Sequence, residues 1–139
     1  MKLFFFSFLL SVASFSFTQE KKSDTDIQSS PKLILEEVFR AAQTSDYSNL
    51  YLLCPPSGEN DGDTQQFICN ISSASVEQQN EFKSYFEKAY ITGEVKYTNS
   101  STEEKASIDF WFNHPGGESR SNETMHFVKM NEKWFLLSF

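Results

Sequence analysis

The spacing of apolar residues along the chain changes near residue 93. Before it, apolar side chains recur every three or four positions, which is typical of helices that pack on one face. After it, they recur at every second position, which is typical of strands with one buried face. The pattern therefore predicts helices first and a run of antiparallel strands afterwards, the order of an α+β domain.

Two helices are predicted before residue 60. Ser30 suits the N-cap and Pro31 the first position of a helix that runs to about residue 42 with one apolar face. Asp46 suits the N-cap of a second, short helix. This helix is expected to stop before Pro55, because proline lacks the amide hydrogen that a helix interior needs.

A third helix is predicted from Ser75 to Gly93. Ser75 and Gln78 have the spacing of a capping box, in which each residue bonds the backbone of the other. The apolar positions behind it have the clearest helical period in the chain: Phe82, Tyr85, Phe86, Ala89 and Tyr90. Residues 65–71, before this helix, are interpreted as a short strand.

Four strands are predicted after Gly93, at residues 94–99, 105–113, 123–130 and 134–139. Each is joined to the next through turn-forming residues, so antiparallel pairing is expected.

The last strand is unusual because it is apolar on both faces. Phe135, Leu137 and Phe139 are expected to point one way, and Trp134 and Leu136 the other. A strand of this kind suits an interior position in a sheet that is covered on both sides.

The N-terminus has the features of a secretory signal peptide. Lys2 precedes a ten-residue apolar run, followed by small residues and a polar segment. We predict a signal peptide at 1–18, a disordered leader at 19–30 and one domain at 31–139; a retained membrane anchor is the alternative. The protein is therefore expected to be exported, either periplasmic or secreted.

The charge balance argues against a nucleic-acid partner. The formal net charge is −7, and it becomes −8 when Lys2 leaves with the signal peptide. Arginine occurs only at Arg40 and Arg120, and the lysines are scattered, whereas a phosphate-binding surface needs clustered basic residues.

Cys54 and Cys69 are the only cysteines, so a single intramolecular pairing exists. An exported chain meets an oxidising compartment, which favours a disulfide. Two free buried thiols are the alternative.

The chain resembles the nuclear transport factor 2-like superfamily, a cystatin-like cone. The resemblance covers Ser30 to Phe139 and lies in "AAQTSDYSNLYLL", in the amphipathic helix that follows, and in a meander ending "VKMNEKWFLLSF". It implies helices packed on a curved antiparallel sheet. The chain is similar in particular to small exported bacterial domains of this fold, many of which have no assigned function.

Members of this superfamily include isomerase-like and dehydratase-like enzymes with Asp, His or Tyr inside the cone. Asp109 is the candidate base here, since burial beside Trp111 would raise the pKa of its carboxyl group. It alternates with Ser107 and Asn113, however, and a solvated position on the polar face is the alternative.

Neither histidine strengthens the case for catalysis. His114 precedes Pro115 in a predicted loop, and His126 lies within a predicted strand. A catalytic histidine needs an orienting carboxylate, and none is adjacent to either in sequence. No catalytic residue is therefore assigned beyond the candidate Asp109.

A ligand cavity in the cone is the other functional expectation. Its candidate lining residues are Tyr47, Phe86, Tyr90 and Trp111, although aromatic residues at helical spacing also form ordinary core. The segment "ENDGDT" at 59–64 lacks the glycine and closing glutamate of a calcium loop, so no metal site is predicted. No cofactor motif is present either.

These features lead to three hypotheses about function. The leading one is an exported, non-catalytic domain that binds a small apolar ligand in the cone or a protein partner through the sheet face. The second is an isomerase- or lyase-type enzyme. The third is a homodimer that packs sheet on sheet around Trp111 and Trp134.

Overall fold

The structure, a computed structural model, describes residues 27–139. The predicted signal peptide and residues 19–26 of the predicted leader lie outside this range. Ile27 is only 2% exposed, and the Gln28 side chain donates a hydrogen bond to the carbonyl oxygen of Leu52 at 2.9 Å. Ile27 and Gln28, which the sequence pattern placed in the leader, therefore pack against the domain.

The first helix, α1 (Pro31–Thr44), begins where its sequence predicts. The Ser30 side chain accepts a hydrogen bond from the Leu33 amide at 3.2 Å, and Pro31 occupies the first turn. The helix ends at Ser45, whose φ of 57° is left-handed, as at many helix C-termini.

The segment between the long helices is irregular. A 3₁₀ turn (Leu50–Leu53) stands where the second helix was predicted. The next element, α2, is a single α-turn (Gly62–Thr64) that continues as a π-helical turn (Gln65–Cys69). A second 3₁₀ turn follows at Ile71–Ser73.

The strand predicted at residues 65–71 is wrong. The Asp61 side chain accepts a hydrogen bond from the Thr64 amide at 2.7 Å and so starts a helical turn just before this segment. A short apolar run is equally compatible with a strand and with a buried helical segment. The cap and the tertiary packing decide between them here.

The next helix, α3 (Val76–Phe86), has the predicted capping box between Ser75 and Gln78. It ends seven residues before Gly93, where the sequence pattern placed its end. Tyr90 therefore leaves the predicted helix and pairs with Trp111 in the sheet.

In the part of the chain that the structure describes, the sheet has five strands: β1 (Tyr90–Ile91), β2 (Lys96–Asn99), β3 (Glu104–Trp111), β4 (Asn122–Met130) and β5 (Lys133–Ser138). Every pairing is antiparallel. The order is β1-β3-β4-β5, and β2 pairs with the same side of β3 as β1 does. The predicted α+β class and antiparallel pairing are confirmed.

The interior position predicted for the terminal strand is wrong. Among residues 27–139, strand β5 pairs with β4 only and forms an edge of the sheet. Two loop contacts cover that edge: the Trp134 amide donates to the Gln28 carbonyl oxygen at 2.9 Å, and the Asp61 amide donates to the Leu137 carbonyl oxygen at 3.0 Å. Covering an edge in this way hides backbone groups that otherwise attract other strands.

The predicted facing of the terminal strand is also incorrect at its end. The register shifts between His126 and Phe127, so that Leu137 is an extra residue opposite β4. Such a bulge reverses the alternation of side chains beyond it. Phe139 therefore packs against the ring of Phe86 in the core, whereas Phe135 is buried outside the main core cluster.

The core between the helices and the sheet is filled with side chains. Phe82, Phe86, Phe110 and Phe127 are all fully buried. Phe86 stacks on Phe112 with ring centroids 5.7 Å apart. These large side chains pack against one another, and a pocket lies at the end of this core.

Candidate ligand pocket

A pocket of about 500 Å³ opens at the end of the sheet where β3 stops and β4 begins. Helices α2 and α3 form its other walls. Its walls come from the helical segments, the loop after β3, strand β4 and the C-terminal residue. The lining residues are Asp63, Gln66, Phe67, Ile71, Ala74, Gln78, Glu81, Tyr85, Phe112, His114, Pro115, Glu123 and Phe139.

The apolar part of the pocket consists mainly of aromatic rings. Phe112 and Ile71 are buried, and Phe67 and Phe139 are half-buried against the core. Phe67 lies 5.3 Å from the ring of Tyr85, measured between centroids. An apolar surface with a few polar groups around it is typical of small-molecule sites.

Three carboxylates stand at the pocket, each on a different element. Asp63 belongs to α2, Glu81 to α3 and Glu123 to β4, and all three residues are exposed. Within residues 27–139, no lysine or arginine is among the residues that line the pocket. The formal charge around the opening is therefore negative.

Tyr85 connects the aromatic and acidic parts of the pocket. Its hydroxyl group donates a hydrogen bond to Oε1 of Glu81 at 2.5 Å. Burial, together with this hydrogen bond and the negative charge of Glu81, raises the pKa of Tyr85 to about 12. The tyrosine is therefore a neutral hydrogen-bond donor at physiological pH.

His114 is held by the loop that follows β3. The Gly116 amide donates to Nδ1 of His114 at 2.7 Å, so the neutral ring carries its proton on Nε2. The ring packs edge-on against Phe112, with centroids 5.4 Å apart. A Cβ atom at position 116 would lie 2.9 Å from Nδ1, so this approach requires glycine.

The four predicted pocket residues are not gathered at one site. Tyr47 packs edge-on against Phe82 at 5.6 Å, and Phe86 is fully buried behind the pocket wall. Tyr90 and Trp111 stack on each other at 5.5 Å, on neighbouring strands. None of the four is among the residues that line the pocket.

Asp109 lies on the outer face of the sheet. Lys96 donates to its Oδ2 at 2.8 Å, and the Thr124 hydroxyl group donates to its Oδ1 at 2.7 Å. The Lys96 hydrogen bond, followed by the Thr124 one, lowers the pKa of Asp109 below its usual value. His126 is exposed on the same face. Neither residue lines the pocket, and a carboxylate held in its charged form is a weak base.

The two tryptophans lie on opposite faces of the sheet. Trp111 shares the outer face with Asp109, whereas Trp134 is 5% exposed and belongs to the core cluster on the helical side. The predicted sheet-on-sheet dimer requires both tryptophans on the same sheet face, and the structure places them on opposite faces.

Cys54 and Cys69 form a disulfide, with their Cα atoms 6.0 Å apart. This confirms the predicted pairing. The bond holds Cys69, the last residue of the π-helical turn. This turn carries Phe67 and continues from α2, which carries Asp63.

The acidic segment before α2 has a structural role at Asp61, which caps the helical turn. Within residues 27–139, no group of three or more Asp, Glu, His or Cys side chains is arranged to hold a metal ion. Nor does any helix in this range have the length and apolar character needed to cross a membrane.

Sequence reasoning missed most of the pocket. Phe67 was assigned to a strand, and Asp63, Glu81 and Glu123 are single acidic residues far apart in the chain. A capping residue at Asp61 was the one local signal that α2 is helical. No local signal indicates that the three acidic residues converge.

Comparisons of this chain with protein-family models, with curated proteins and with solved structures find no match.

Proposed function

We propose that this protein is an exported domain that binds a small molecule in the pocket between α2, α3 and the end of the sheet. The observation that carries the proposal is the pocket itself, whose volume of about 500 Å³ lies within the range of small-molecule sites. It combines buried aromatic rings with polar groups at the opening, a combination that gives both affinity and orientation.

The disulfide supports export, because such bonds persist mainly in oxidising compartments outside the cytosol. The order of elements, helices followed by an antiparallel meander, supports a nuclear transport factor 2-like fold. The proposal therefore includes both export and a nuclear transport factor 2-like fold.

Binding without catalysis is favoured over an isomerase or lyase. Asp109, the candidate base, lies outside the pocket and is paired with Lys96. Inside the pocket, the Tyr85 hydroxyl group already donates to Glu81, and the raised pKa of this tyrosine makes it a weak acid.

A protein partner on the outer sheet face is the second candidate. The observation in its favour is the stacked pair of Tyr90 and Trp111, in which Tyr90 is 55% exposed. Exposed aromatic residues are common at the centres of interfaces.

The pocket proposal is tested by blocking the pocket. NMR titrations with 2-phenylethanol, 2-phenylethylammonium and 3-phenylpropanoate measure which backbone amides respond to each compound. Ala74 is half-buried and lines the pocket, so Ala74→Trp fills it. Ser73→Trp places the same bulk on an exposed neighbour that does not line the pocket and is the matched control.

At least one compound should give saturable shifts at the pocket amides. Ala74→Trp should weaken that binding at least ~10-fold, the equivalent of about 1.4 kcal/mol, and Ser73→Trp should change it less than ~2-fold. The proposal is overturned if no compound saturates, or if both variants weaken binding equally.

A further inference from the structure

The charges at the pocket have one sign and come from three directions. Asp63, Glu81 and Glu123 belong to two helices and one strand, and among residues 27–139 no lysine or arginine lines the pocket. Walls of low dielectric constant around charges of one sign concentrate the field inside a cleft. The pocket therefore attracts positive and repels negative ligands.

These carboxylates differ from many other acidic residues of the domain in lacking a basic partner. Elsewhere Lys96 pairs with Asp109 at 2.8 Å, and Lys129 pairs with Glu104 at 3.1 Å. None of the ion pairs found within residues 27–139 includes Asp63, Glu81 or Glu123. Their charge is therefore available to a ligand.

The aromatic rings add a second preference for a cation. The aromatic residues Phe67, Tyr85, Phe112 and Phe139 line one pocket, and a cation near the face of such a ring is attracted to its electron density. The same domain contains this interaction elsewhere, since Nζ of Lys129 lies 5.9 Å from the centre of the Trp134 ring.

We infer that the natural ligand is a compact organic cation, an apolar or aromatic group that carries an ammonium. This inference rests on the proposed function and adds the charge class of the ligand. The apolar group occupies the space between the rings of Phe67, Phe112 and Phe139, and the ammonium lies toward the carboxylates at the opening. Aromatic carboxylates and phosphates of similar size bind more weakly because of charge repulsion.

The test compares three probes of similar size and different charge: 2-phenylethylammonium, neutral 2-phenylethanol and anionic 3-phenylpropanoate. Affinity should fall in that order, with the ammonium roughly 10-fold tighter than the alcohol if each exposed carboxylate contributes about 2-fold. Because the carboxylates are exposed, raising the salt concentration to about 0.5 M should reduce this advantage.

The carboxylates themselves are tested by the triple variant Asp63→Asn, Glu81→Gln and Glu123→Gln. It should lower affinity for the ammonium roughly 10-fold and leave affinity for the alcohol within about 2-fold. Glu132→Gln removes one negative charge outside the pocket and is the matched control for the single variant Glu123→Gln. Glu132 lies in the turn between β4 and β5, and its side chain is 93% exposed.

The outcomes separate this inference from the proposed function. If the alcohol binds in the pocket as tightly as the ammonium, the cation preference is overturned and the binding function stands. If Glu132→Gln lowers ammonium affinity as much as Glu123→Gln alone, the effect comes from net charge and the inference is overturned. If no probe binds, both are overturned.

Discussion

Two adjacent aromatic residues, Tyr85 and Phe86, have different roles because successive residues on a helix point about 100° apart. Phe86 points into the core, is fully buried and contacts several other phenylalanine rings. Tyr85 points to the pocket and donates to Glu81. One helical turn therefore supplies both the packing behind the pocket and a polar group within it.

The raised pKa of Tyr85 predicts a loss of stability at alkaline pH. Its folded-state pKa of about 12 is above the ordinary 10.0, so the folded protein holds this proton more tightly than the unfolded chain does. The contribution is fully present below pH 10 and is lost as the pH rises from 10 to 12. Urea unfolding of the wild type and of Tyr85→Phe across this range should show a smaller loss in the variant.

Glu81→Gln distinguishes the causes of this pKa shift. Burial is the largest cause, so ultraviolet titration of the variant should find the pKa of Tyr85 lower than in the wild type but still above 10.0. A pKa of Tyr85 at or below 10.0 in the wild type would contradict the structure.

Among the elements, α1 and α3 begin where their sequences indicate, because Ser30 and Ser75 cap them through local contacts. The environment of β5 is different, because distant residues cover its edge. The covering groups are the Gln28 carbonyl, which precedes α1 in the sequence, and the Asp61 amide, which follows it.

Removing the residues before Ser30 should open the edge of β5. In a chain that starts at Ser30, the Trp134 amide loses its acceptor on Gln28, and its hydrogen exchange should accelerate at least ~10-fold. A chain that starts at Ile27 is the control and should retain the protection. The amides of Ile108 and Met125 report any global loss of stability. Equal protection of Trp134 in both chains would disprove the edge contact.

At the scale of the whole molecule, the disulfide closes the loop that covers β5 and carries Asp63, Gln66 and Phe67 of the pocket wall. Cys54 and Cys69 are 15 residues apart, and Asp61 lies between them. The double variant Cys54→Ala, Cys69→Ala should lose about 3 kcal/mol of unfolding free energy, because the unfolded chain gains the freedom of this loop. Denaturant unfolding measures this loss.

Reduced wild-type protein is the control for that experiment. It should unfold at nearly the same denaturant concentration as the double variant, since both lack only the cross-link. A loss smaller than ~1 kcal/mol in the variant would contradict the expectation that this disulfide stabilises the domain by restricting the unfolded chain.

The sequence by itself determined the features that depend on neighbours in the chain or on simple counting. The caps at Ser30 and Ser75 set the starts of two helices, alternation in β3 set the buried face of that strand, and two cysteines allowed one disulfide. Each is a local or combinatorial property, so no knowledge of the packing is needed.

Only the tertiary structure decided the pocket, the bulge at Leu137 and the edge position of β5. Asp63, Glu81 and Glu123 line one pocket although they belong to α2, α3 and β4, and nothing in the residues around any of them indicates the other two. The physical reason is that contacts between distant segments depend on how the helices and the sheet pack as a whole.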